Sequence, residues 1–160
     1  MAVKVFNVGQ VLAAADVNAW FIPTSIAVKP SDEGRTATAY SNDSNMLLAV
    51  SANASYMIEG ALEFDATFGE DFKTKFTVPS AAAGLWNDEG NSSTPNAISW
   101  VTSTPGVGAT PTLVTVTILG CFVTGANAGN LQLQWAKNAA GAGTTTTLKK
   151  NSYLMAWRIG

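Results

Sequence analysis

From residue 24 onward the chain alternates with a period of two. Its longest strand-like run is 112–124, TLVTVTILGCFVT, which is β-branched or apolar at nearly every position and carries no charge. Leu113, Thr115, Thr117, Leu119, Cys121 and Val123 share one side of a pleat, and Val114, Val116, Ile118, Gly120 and Phe122 share the other. Apolar residues on both sides describe a strand covered on both faces. In a small β protein such a strand lies between two sheets, or between a sheet and a neighbouring subunit. The run 55–66, SYMIEGALEFDA, is patterned differently. Tyr56, Ile58, Gly60, Leu62 and Phe64 point one way and Glu59, Ala61, Glu63 and Asp65 the other, giving one core face and one wet face. Residues 72–78, FKTKFTV, repeat this pattern with Lys73 and Lys75 outward. Paired with 55–66, they would set both lysines against Glu59, Glu63 or Asp65.

Further strands are predicted over 25–29, 35–40, 46–50, 85–87, 97–102, 130–137 and 152–159, with 41–45 and 88–95 as loops. Turn signals recur every 8–12 residues or so. The pattern is that of an all-β protein, an antiparallel β-sandwich or jelly roll. One segment reads otherwise. Val11, Leu12, Ala15, Asn18 and Ala19 fall at helical spacing before Pro23, so 10–23 is predicted to be one short N-terminal helix. Too short to stand alone, it must dock Leu12, Val17, Trp20 and Phe21 on something. The chain thus divides into a docking arm with helix, 1–23, and a β-sandwich domain, 24–160.

At 160 residues the chain holds one domain with a sizeable core. Charged residues make up only 12%, against roughly 25% in an average protein, while apolar ones reach 47%. That imbalance points to surface covered by a partner, with a neutral Ser/Thr/Asn-coated monomer as the alternative. Net charge is −2, and the nine basic residues are scattered apart from Lys149–Lys150. There is no basic stripe for nucleic acid, no apolar run long enough to insert in a membrane, and no secretory leader pattern. The expected site of synthesis is the cytoplasm. Cys121 is alone and is expected to be a small buried hydrophobe.

Histidine is absent, which removes the commonest general base and any imidazole metal site. Two acidic sets remain. Glu59, Glu63, Asp65, Glu70 and Asp71 include pairs at glycosidase-like separation, but a solvated face balanced by Lys73 and Lys75 explains them better. Asp43, Asp88 and Glu89 lie among loop oxygens without the spacing of a Ca²⁺ loop. Trp86, Trp100, Trp135 and Trp157 read as core, with Trp86 beside the 88–95 loop as the candidate for glycan stacking. No catalytic residue, metal ligand or cofactor-binding residue is expected.

Two passages carry a resemblance. FNVGQVLAAADVNAWFIP, residues 6–23, resembles the amino-terminal segment that begins many tail, fibre and head-associated proteins of tailed bacteriophages. Gly9, Gln10, Val11, Leu12, Ala14, Ala15, Asp16, Val17, Asn18 and Trp20 match, while Ala13 stands where a helix-capping Thr is usual. ANASYMIEGALEF, FKTKFTVP, GNLQLQWAKN and NSYLMAWRI resemble a family of small structural proteins from phages of actinobacteria, itself similar to the trimeric jelly rolls of the complement and tumour-necrosis-factor type. The resemblance implies a non-enzymatic virion protein, a homotrimer docked on other virion proteins by its N-terminal segment, serving as head decoration or as a minor tail, host-attachment protein. Val114, Val116, Ile118 and Phe122 would then be subunit interface. A carbohydrate-binding module reading host-surface glycans through Trp86 is the alternative.

Overall fold

The computed structural model describes residues 7–11, 13–15, 22–66, 71–88, 98–102, 113–139 and 144–160. Eleven strands are formed among them: β1 (Ser25–Val28), β2 (Glu33–Arg35), β3 (Ser41–Val50), β4 (Ser55–Asp65), β5 (Phe72–Thr77), β6 (Ala83–Asp88), β7 (Ile98–Ser99), β8 (Val114–Val123), β9 (Gly129–Lys137), β10 (Thr146–Leu148) and β11 (Tyr153–Arg158). All pairings are antiparallel. The larger sheet runs β1-β11-β4-β8-β6-β7, with β10 joining β2 to β4, and the smaller runs β3-β9-β5. The two sheets pack face to face as an antiparallel β-sandwich.

The longest ladder joins β4 to β8 in unbroken register from Ser55↔Val123 to Phe64↔Val114. Both strands are long, and each sends every second apolar side chain inward. Tyr56, Ile58, Leu62 and Phe64 from β4 meet Val116, Ile118 and Phe122 from β8 in one buried core. Across the gap, Phe64 stacks on Phe72 of β5 at 4.5 Å between centroids, and Phe72 reaches Trp135 at 5.5 Å. At the other end Phe76 meets the edges of Trp86 and Trp100, which stack on each other at 5.8 Å. Rings of this size interlock the sheets and account for much of the apolar area removed from water.

Trp100 fits because β8 carries no side chain at Gly120. A Cβ there would lie 2.7 Å from Trp100 Cζ2 and 2.7 Å from the Leu85 carbonyl. The Trp100 indole N–H donates to the Cys121 carbonyl at 3.0 Å. A second fixed point closes the β3–β4 turn. Buried Thr124 accepts from the Ala54 N–H at 2.9 Å and donates to the Ser51 carbonyl at 2.7 Å, while Asn53 takes φ 49.

Several expectations are corrected. β5 does not pair with β4: it joins β9 in the other sheet, so the connection after β4 crosses the sandwich and does not form a hairpin. Residues 41–45, expected as a loop, begin β3, with a bulge between Asn42 and Leu47. Half of the helix expected over 10–23 lies outside the described residues; among those described only Ala14 and Ala15 are helical, and no helix stands among the described elements. Ahead of it the chain turns at Asn7–Gly9, with Gly9 at φ 83 and the Gln10 N–H donating to the Asn7 carbonyl at 3.0 Å.

Candidate functional site

Covering both faces of the 112–124 run was expected to set Val114, Val116, Ile118 and Phe122 at a subunit interface. Their place is the sandwich core. Val116, Ile118 and Phe122 are buried and cannot reach a second chain, and Val114, partly buried, packs against the same core. The register with β4 decides this. Ile58 and Gly60, on the core side of β4, lie opposite Gly120 and Ile118. The open side of β8 is therefore the one bearing Thr115, Thr117, Leu119, Cys121 and Val123, and Cys121 is exposed there, not buried.

Neighbouring strands extend this open side into an apolar surface. One cross-strand row runs Ile26, Met155, Glu59, Leu119, Asn87; the next runs Trp157, Met57, Cys121, Leu85, Ser99. Leu119 is 50% exposed, Ile26 and Leu85 each 54%, and Val123 49%. Contiguous apolar area on one sheet face marks a contact surface, whereas single exposed apolar residues do not. Glu59 and Glu63 stand on the same face, and Asp65 at its end lies 4.0 Å from Lys149. Lys73 and Lys75 do not balance them, being on the other sheet and over the Tyr40 ring at 4.9 and 4.7 Å.

Trp86 is 1% exposed, and its burial among Phe76 and Trp100 removes it as a glycan contact. Trp100 and Trp135 are core as expected, while Trp157 is half-buried on the open face. Leu12, Val17, Trp20 and Phe21, the expected docking residues, lie outside the described residues. So does Glu89, and the Asp88 side chain is not described. Among the described residues no group of three or more His, Cys, Asp or Glu is placed to hold a metal ion, and no helix is long and apolar enough to cross a membrane.

Asp43 is the feature that sequence reasoning missed. It sits in the β3 bulge, 0% exposed, and every oxygen is engaged. Oδ1 accepts the N–H groups of Asn45 and Met46 at 2.9 and 3.1 Å, and Oδ2 accepts Trp135 Nε1 at 3.0 Å and Lys29 Nζ at 2.6 Å. Burial pushes the Asp43 carboxyl up, but the Lys29 hydrogen bond, the Asn45 N–H, the Trp135 indole and the Lys29 charge together hold it below its ordinary value. Lys29, 1% exposed, also bonds Glu33. Arg35 holds the other Glu33 oxygen at 2.8 and 2.7 Å and lies over the Trp135 ring at 4.0 Å. A carboxylate saturated in this way has no free lone pair for Ca²⁺.

No protein-family model and no curated protein matches this chain. Among solved structures, a chain in the structure of the infectious bursal disease virus Gt strain aligns over 98% of this chain and 45% of its own, at 10% identity and TM-score 0.24. One from the Gx strain aligns over 86% and 40%, at 11% identity and TM-score 0.22. The chain thus spans less than half of each, and likeness at this level carries no argument about function.

Proposed function

We propose that this chain is a non-enzymatic structural component of a phage virion, a homotrimer that self-associates through the open face of the larger sheet. The observation that carries self-association is the exposed apolar cluster of Leu119, Met57 and Leu85 on that face. Second copies are the fitting occupant, because Met57, Leu85, Leu119, Cys121 and Val123 adjoin on this face, with Glu59 beside Leu119 as the charge among them. The virion assignment rests on the likeness of residues 6–23 to phage tail, fibre and head-associated segments, which would dock the arm on another virion protein. The strand order β1-β11-β4-β8, first beside last, suits a jelly roll of the trimeric type. Head decoration and minor tail protein, at the host-contacting end, are both served by this arrangement. With Trp86 in the core, the carbohydrate-binding alternative loses the residue that carried it.

Light scattering on the full chain at micromolar concentration tests the assembly. A mass near three times 16.6 kDa is expected, and a monodisperse monomer would sink the reading. Separating heads from tails and probing each fraction for the chain tests the location. Its absence from purified particles refutes the virion role.

A further inference from the structure

The geometry points to Lys29 and Asp43 as the partners of an intramolecular isopeptide bond, formed with Glu33 as proton relay. This does not depend on the assembly proposed above. Lys29 follows β1 of the larger sheet and Asp43 lies in β3 of the smaller one, so the bond would staple the two sheets covalently.

Three features of the site suit the reaction. The first is approach. Nζ lies 2.6 Å from Oδ2, in direct contact with the carboxyl group it would attack. The second is dryness. Both groups are buried, so the ion pair forgoes most of its hydration, and the part-exposed Glu33 beside it opens a way out for the water released. The third is a set of groups for each proton and charge. Glu33 bonds Nζ through one oxygen and is anchored by Arg35 through the other. The N–H groups of Asn45 and Met46 already point at Oδ1, where negative charge develops on attack, and Trp135 Nε1 donates to Oδ2, the leaving oxygen.

The step balances without a co-reactant. Glu33 takes one proton from the Lys29 ammonium and hands it to Asp43 Oδ2, and the freed amine lone pair forms the N–C bond to Cγ of the now neutral carboxyl. The tetrahedral centre collapses as the C–Oδ2 bond breaks. Oδ2 leaves as water, carrying the proton returned by Glu33 and a second one from the nitrogen. One proton stays on the amide nitrogen, and the two opposite charges cancel.

Mass spectrometry of the folded full chain tests this directly. The intact mass is expected to fall about 18 Da below that of the linear sequence, one water lost. Trypsin should release peptides 5–35 and 36–73 joined, since Lys29 precedes Pro30 and is not a cleavage point. Glu33→Gln, which is part-exposed and isosteric, should fold with unchanged circular dichroism yet regain the lost water and give separate peptides. Lys29→Arg should do the same. A wild-type chain at full mass with the two peptides separate overturns the proposal. A Glu33→Gln chain as fully joined as wild type overturns the relay.

Discussion

Placing a charge at Leu119 is the sharpest probe of the open face. Leu119 sits in the middle of the larger sheet, flanked by Glu59 on β4 and Asn87 on β6. Half of it is already covered within the chain, and a contact would cover the rest. Full burial of a leucine is worth roughly 1.5–3 kcal/mol, so the uncovered half contributes about 1 kcal/mol per subunit. Leu119→Lys forfeits that and asks the interface to desolvate an ammonium group, which even when paired with Glu59 across the ladder adds about 3 kcal/mol. A total near 4 kcal/mol per contact weakens association about 1000-fold. Light scattering and sedimentation across the micromolar range should therefore find the variant monomeric where wild type is assembled, with unchanged circular dichroism. Asn130→Lys, on the exposed side of β9 in the other sheet, adds the same charge and should leave the mass alone. A Leu119→Lys chain as large as wild type, or equal dissociation by Asn130→Lys, would refute the reasoning.

Other predictions concern the fold. Thr124→Val leaves the buried Ala54 N–H without its acceptor, which should destabilise by about 1–3 kcal/mol, whereas Thr124→Ser should recover most of it; urea denaturation distinguishes them. Gly120→Ala forces a methyl against Trp100 and the Leu85 carbonyl and should cost about 1–3 kcal/mol, read as a lower melting temperature. The exposed Asp32 carboxyl is held below its ordinary value by its Lys149 hydrogen bond and the Lys150 N–H. Its folded-state pKa being depressed, the small stabilisation is complete above the unfolded value of 3.8 and is lost as pH falls through the folded value. The stability gap between wild type and Lys149→Gln should close over that window, and a gap that persists in acid would contradict the linkage.

The alternation of β4 announced both its face and its depth, because Glu59 and Glu63 mark the wet side among apolar neighbours. β8 has no such marker. With Val and Ile on one side and Leu, Cys and Val on the other, period two fixes the pleat and leaves the direction open. Only the ladder with β4 resolves it, and that ladder joins residues some sixty positions apart. The same distance hid the Lys29–Asp43 network. Asp43 looks like a loop aspartate in SNDSN, and its indole donor, Trp135, is 92 residues away. Lys73 and Lys75 misled for the opposite reason. Nearness in sequence suggested a hairpin with β4, while β5 found its ladder on β9.

β11 is inserted between β1 and β4, so the strand translated after all the other described strands occupies the interior of the larger sheet. Until it leaves the ribosome, β1 has no ladder to join and β4 lacks one of its two long neighbours. Closure by such distant segments is slow, because the intervening polypeptide must first give up its freedom. The open face, whose rows run through Met155 and Trp157, is likewise incomplete before that moment. If copies associate through that face as proposed, nascent copies on one messenger would be kept from joining before β11 is in place.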